Sequence, residues 1–181
     1  MQEPGPTVIP RGEQELLIMS TVSPLEVYLT SFAQFREFSE FSNTVTNKVA
    51  ISAAKHFRRF SSGDLVVAKV NGMWNRAKIL DLLPNNFYEV DLFDFADTAE
   101  VGIRDICRAT HEVMEAPVLV TKCALESFYG REDEALKKEM MVKVKSLMIE
   151  FETIKGEMMG EKDGLTWIRI QSVEEEIMKD L

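Results

Sequence analysis

Between Gly63 and Arg108 four short segments, Leu65 to Val70, Trp74 to Leu82, Phe87 to Phe93 and Glu100 to Ile103, follow one another with little chain between them. Asn71-Gly72 and Pro84-Asn85-Asn86 punctuate them. Gly and Asn accept the positive φ that such tight hairpins demand, so neighbouring segments are set to pair as antiparallel strands. Strands so short and so sharply turned predict a small barrel.

The flanks read differently. Upstream, Leu16-Leu17-Ile18-Met19 and Glu26-Val27-Tyr28-Leu29-Thr30 lie on either side of Ser23-Pro24 and predict a hairpin. Phe32, Phe35, Phe38, Phe41, Val45 and Val49 recur at helical spacing, which predicts a helix from about Phe32 to Ala54 with its aromatic stripe in the core. Downstream, Val118 to Leu125 predicts a strand, and Glu132 to Lys145 a helix with Leu136, Met140, Met141 and Val144 on its apolar face. Leu147 to Thr153 and Leu165 to Ile170 then read as strands around a turn-rich stretch holding Gly156, Gly160, Asp163 and Gly164. Val173 to Leu181 reads as a short acidic helix capped by Ser172. Met1 to Gly12, rich in Pro and Gly without apolar periodicity, is expected to stay outside the fold, as a linker or disordered tail over residues 1–13.

Composition narrows the function. Hydrophobic residues make up 45% of the chain and charged ones 28%, the balance of a folded body. The formal net charge of -9 repels nucleic-acid phosphates and favours basic peptides as partners. Cys107 and Cys123 have no CxxC spacing and read as reduced, buried thiols. No apolar run is long enough to span a membrane, and the first residues have no signal-peptide pattern, so an intracellular, cytoplasmic setting is expected.

Enzyme readings find little support. His56 and His111 are the only histidines, and no phosphate loop, GxSxG elbow or HExxH helix accompanies them. Asp91, Asp94, Asp97 and Glu100 are closely spaced, but they straddle a strand and its turn and read as a solvated acidic rim rather than a metal site. No catalytic residue, metal or cofactor is expected. Lys55-His56-Phe57-Arg58-Arg59-Phe60, and the set Lys137, Lys138, Lys143 and Lys145, offer an alternative surface for single-stranded RNA.

Two stretches carry a family resemblance. Met73-Trp74-Asn75-Arg76-Ala77-Lys78-Ile79, and then Tyr88-Glu89-Val90-Asp91-Leu92-Phe93-Asp94-Phe95-Ala96-Asp97-Thr98, resemble the central signatures of the Tudor fold, usually WYRA and DYGN. Ser23-Pro24 with its following strand, and Ala116-Pro117-Val118-Leu119-Val120-Thr121-Lys122-Cys123-Ala124-Leu125, resemble the two segments of a surrounding half-barrel. From about Ser20 to Leu181 the chain therefore resembles an extended Tudor domain. The resemblance implies a mainly β fold with helices. A Tudor barrel over 61–116 would be joined through a long helix and connection at 32–60 to a staphylococcal-nuclease-like, OB-type barrel built from 14–31 and 117–181. It also implies a non-catalytic protein-interaction scaffold of the animal piRNA pathway, in perinuclear germ granules. The implied partner is the Arg-rich tail of a Piwi-class Argonaute or another piRNA factor.

In that family a dimethylarginine side chain lodges among aromatic rings, because a delocalised cation is attracted to ring faces. Carried over position by position, the resemblance places the first ring at Val70, the Tyr of WYRA at Asn75, the ring before DYGN at Leu92 and the Tyr of DYGN at Phe95. Ala96 stands for the Gly, and Asp97 for the Asn that would hold the guanidinium. One ring of the cage is left, and each lost ring removes about 0.5–2 kcal/mol of cation attraction. Little dependence on arginine methylation is expected, the alternative being a reader with a rearranged cage. A register shift would bring in Phe93, but strand alternation sends it to the face opposite Leu92. Trp74 is expected in the barrel wall, and Arg76 paired with Asp94.

Overall fold

The computed structural model describes residues 2–53, 59–177 and 179, and the side chains of all of these except 45, 46, 48–53 and 134. The chain divides into two compact units, one from Met1–Thr7 and Arg36–Leu119, the other from Val8–Phe35 and Val120–Leu181. The second is thus assembled from both flanks of the first.

That second unit is a closed barrel of strands β1 (Gly12–Ser23), β2 (Glu26–Ser31), β8 (Thr121–Leu125), β9 (Thr153–Lys162) and β10 (Leu165–Arg169). The order around the barrel is β1-β2-β8-β10-β9, and β9 closes it by pairing back on β1 from Gly12↔Met158 to Leu17↔Thr153. Only β8 and β10 run parallel among these pairs. Closure leaves no free strand edge, and the inward side chains of all five strands meet in one core with Leu16, Leu29, Leu125, Met158 and Ile168 at its centre. Phe128, fully buried, follows β8 in a 3-10 turn, and helices α4 (Lys138–Leu147) and α5 (Gln171–Ile177) add Met140, Val144, Val173 and Ile177.

Several expectations shift in this unit. The leading segment is not outside the fold: β1 begins at Gly12, and Ile9 is buried in the barrel core, its apolar side chain covered as an isolated tail could not cover it. The helix expected from Glu132 to Lys145 is two helices, α3 (Glu132–Ala135) and α4, broken at Lys137 by an extended backbone that leaves Leu136 exposed rather than on an apolar face. Residues 148–152, expected in a strand, form a turn instead, with Phe151 at φ 64. Gly156 and Gly160 stand within β9, so the hairpin turn contracts to Asp163-Gly164. A Cβ on Gly156 would meet Leu16 Cδ1 at 2.9 Å and Ile168 Cδ1 at 3.0 Å, so this glycine marks a close approach rather than a turn. Helix α5 starts at Gln171, which puts Ser172 inside its first turn rather than at its cap.

Helix α1 (Phe32–Ala53) begins in the barrel unit and continues into the other. Its aromatic stripe is only half-buried at Phe35, Phe38 and Phe41, and Phe32 is exposed, so the stripe is not the core expected of it. Val45 and Val49 have no described side chains, and Lys55 to Arg58 lie outside the described residues.

The inner unit is a five-stranded antiparallel sheet in the order β6-β5-β4-β3-β7. Its strands are β3 (Leu65–Val70), β4 (Met73–Leu83), β5 (Phe87–Leu92), β6 (Asp97–Gly102) and β7 (Ile106–Arg108). Asn71 at φ 50 and Gly72 at φ 83 make the two-residue β3–β4 turn, and Asn85 at φ 62 and Asn86 at φ 61 turn β4 into β5. A register shift between Ile79 and Asp81 bends β4. One side of all five strands contributes to a single core of Val66, Ala68, Ile79, Val90, Val101 and Ile106, as in a sheet curled on itself. On the other side Val67 and Cys107 pack with Val113 and Met114 of the short helix α2 (His111–Met114).

Candidate functional site

The β3–β4 turn and the β5–β6 turn fall at the same end of the inner sheet, because β4 runs antiparallel to both β3 and β5. Alternation then decides which side chains meet there. Val66, Ala68 and Val70 point inward from β3, and Asn75, opposite Ala68, shares that face with Ala77 and Ile79. From β5 come Tyr88, Val90 and Leu92, and from β6 Val101, Ala99 and, at the strand's start, Asp97, which pairs with Leu92. Phe95, held in the turn by its amide donating to the Leu92 carbonyl at 2.8 Å, packs against the same core. Val70, Asn75, Leu92, Phe95 and Asp97 therefore converge on one end of one face.

The chemistry of that end is sparse. Among the described residues it offers one ring, that of Phe95, beside two aliphatic side chains, with Leu92 buried. The Asn75 amide is turned onto its own strand, donating to the Met73 carbonyl at 2.9 Å. Asp97 is exposed, and one of its oxygens accepts the Thr98 amide at 2.8 Å.

The opposite face of the same strands holds an arginine internally. Arg76, 2% exposed, gives Nε and Nη2 to the two oxygens of Asp94 at 2.8 and 2.7 Å. Its other N–H groups go to the carbonyls of Val113 at 3.2 Å, Ala116 at 2.5 Å and Pro117 at 2.7 Å, so all five guanidinium donors are used. Asp94 also accepts the Leu119 amide at 3.0 Å, which draws the chain as far as Leu119 into this unit, past the expected boundary at Pro117. Phe38 and Phe93 lie against the guanidinium, with centroids 5.0 and 5.6 Å from its carbon. Phe93 is thus on the side away from Leu92, and Trp74 packs on that side too, half-buried against the cluster of Val67 and Val113.

This pairing corrects the acidic rim. Asp94 is buried and committed to Arg76, and Asp91 is half-buried; Asp97 and Glu100 are the exposed members. Burial pushes the Asp91 carboxyl above its ordinary range, against the pull of Lys78 and with the help of Glu3. Among the described residues no cluster of His, Cys, Asp and Glu could hold a metal ion, and no helix is long and apolar enough to cross a membrane. Both cysteines are unpaired and buried, and burial pushes the Cys107 thiol up to about 11 and the Cys123 thiol up to about 12. Neither forms appreciable thiolate near neutrality.

The sequence profile of the Tudor domain matches residues 10–127. The chain belongs to the Tudor domain family. In three dimensions it is similar to the human TDRD1 extended Tudor domain solved with a symmetrically dimethylated peptide: TM-score 0.77, 14% identity, covering 98% of this chain and 92% of that one. It is also similar to extended Tudor domain TD3 of mouse TDRD1 solved with a MILI peptide containing dimethylarginine: TM-score 0.74, 12% identity, covering 99% of this chain and 96% of that one. The extended Tudor architecture, a mainly β fold with a second, nuclease-like barrel, is therefore that of this chain. In sequence it is similar to human RING finger protein 17, 36% identical over 55 residues, which are 30% of this chain and 3% of that protein.

One departure from the Tudor signature carries a measurable cost. Ala96, where DYGN has its Gly, sits at φ 52 in the β5–β6 turn. A side chain in the left-handed region costs roughly 1–2 kcal/mol, and glycine's extra flexibility returns part of that. Ala96→Gly is expected to stabilise the protein by about 0.5–1 kcal/mol in urea unfolding; a destabilised variant would show that the turn is not strained.

Proposed function

We propose that this extended Tudor domain is a non-catalytic docking module for an Arg-containing peptide of a partner protein, with little dependence on arginine methylation. The observation that carries the reading is the end of the inner sheet, where a single ring, Phe95, stands beside an exposed carboxylate, Asp97. A carboxylate attracts a guanidinium whether or not it is methylated, whereas a preference for the methylated form rests on several rings excluding water around it. The net charge of -9 adds long-range attraction for a basic tail. The solved relatives named above hold dimethylated peptides, which supports a peptide as the class of partner. In the cell we place the module in the cytoplasm, in piRNA-pathway germ granules, with a Piwi-class Argonaute tail or another pathway protein as its partner.

Calorimetric titration with matched Arg-Gly peptides, plain and symmetrically dimethylated, tests this. The two affinities are expected to agree within about threefold, the contribution of less than one well-placed ring. A tenfold preference for the methylated peptide would mean that a rearranged cage reads the modification. Binding of single-stranded RNA in place of either peptide, with a steep loss on adding salt, would overturn the peptide reading altogether.

A further inference from the structure

The barrel unit carries a second arrangement of ring and carboxylate, and it already holds a cation. Lys162 places its Nζ 3.8 Å from the centroid of the Tyr129 ring. The Tyr129 hydroxyl donates to Asp163 Oδ2 at 3.2 Å. Behind it, Trp167 meets the Tyr129 ring edge-on, with centroids 5.1 Å apart and planes at 83°. Trp167 is buried, but Tyr129 is 41% exposed.

Each member is held in place by something other than the lysine side chain. The Tyr129 amide donates to the Glu126 carbonyl at 3.0 Å, directly after buried Phe128. Asp163 and Gly164, at φ 55 and 77, form a two-residue hairpin turn whose register is fixed by Leu165↔Lys162. The Trp167 indole N–H is taken by the Lys162 backbone carbonyl at 3.0 Å, which any residue at 162 supplies. The ammonium resting on the ring is therefore an occupant of the arrangement rather than one of its supports.

We propose that Tyr129 and Asp163 form a guanidinium-binding site, occupied in the free protein by the chain's own Lys162. The incoming group is an arginine side chain of the partner peptide, so the site deepens the reading above and places a peptide contact on the barrel unit. A guanidinium suits the site better than the ammonium does. It is planar and more weakly hydrated, so it lies flat on the ring, and its fork of N–H donors reaches the Asp163 carboxylate at the same time. Lys162 is tethered and competes at high effective concentration, which makes it a built-in brake on affinity.

Nuclear magnetic resonance titration with methylguanidinium, and separately with the plain Arg-Gly peptide, tests the site through the Trp167 indole N–H resonance. Both probes are expected to shift that signal. Lys162→Ala is expected to tighten methylguanidinium binding by about twofold to fivefold, the range of one exposed cation–ring contact. Tyr129→Leu, which keeps apolar bulk over Trp167, and Asp163→Asn are each expected to weaken it. A peptide that binds while leaving the indole signal unmoved in both the native protein and Lys162→Ala would overturn the site and leave the docking function intact. Methylguanidinium shifts that are enhanced by Lys162→Ala and lost in Tyr129→Leu would sustain the site even if no Arg-Gly peptide bound.

Discussion

Arg76→Ala is expected to cost about 3–5 kcal/mol of stability, the range for removing one partner of a buried ion pair. The loss exceeds that of an ordinary salt bridge because the guanidinium serves several groups at once. Without it the Asp94 carboxylate keeps the Leu119 amide alone, and the carbonyls of Val113, Ala116 and Pro117 lose their donor. Phe38 and Phe93 would face the space left between them. Arg76→Lys should recover little, since an ammonium has three donors and cannot bridge Asp94 bidentately while reaching those carbonyls. Urea unfolding gives the magnitude, and amide exchange at 113–119 should accelerate first. A loss under about 1 kcal/mol, the scale of a surface pair, would mean that water takes over these bonds and that the pair does not organise this unit.

In the barrel unit the corresponding residue is Phe128, fully buried among the side chains of the strands and of α4 and α5. Phe128→Ala is expected to cost about 3–5 kcal/mol, combining lost transfer energy with the cavity left in a closed barrel whose walls cannot move together easily. Phe128→Leu should cost markedly less, since most of the volume is retained. The alanine variant should also loosen the turn that carries Tyr129, visible as averaging of its ring contact with Trp167. Equal losses for alanine and leucine would show that ring shape, not cavity volume, sets the cost.

The inner sheet could be read from the sequence because its instructions are local. Asn71-Gly72 and Asn85-Asn86 admit few backbone conformations other than the turns they form, and these turns fix the register of the strands beside them. Strand alternation by itself sets Phe93 on the face away from Leu92. The barrel was harder because its rules act at a distance. Gly156 looks like a turn residue until Leu16 and Ile168 are brought over it, and Ile9 looks like part of a tail until the core closes on it. Strand β7, three residues long, has too few positions to show a period. At the candidate site the motif pair located Val70, Asn75, Leu92, Phe95 and Asp97 together. The Tyr129–Lys162–Asp163 arrangement left no such trace, because its members come from two separate stretches that only the barrel brings into contact.

The pairing of β1 with both β2 and β9 sets a timetable for the growing chain. The β1–β2 hairpin is made before the inner sheet, yet the strand that seals its other edge at Gly12↔Met158 emerges only after the whole inner sheet has been made. At ordinary rates of elongation that interval is on the order of ten seconds. For its duration Leu16, Ile18, Val27 and Leu29 have no core to enter, and the outer edge of β1 is open to any strand that reaches it. The hairpin is therefore a segment for a chaperone to shield, and a ribosome paused within the inner sheet would lengthen its exposure.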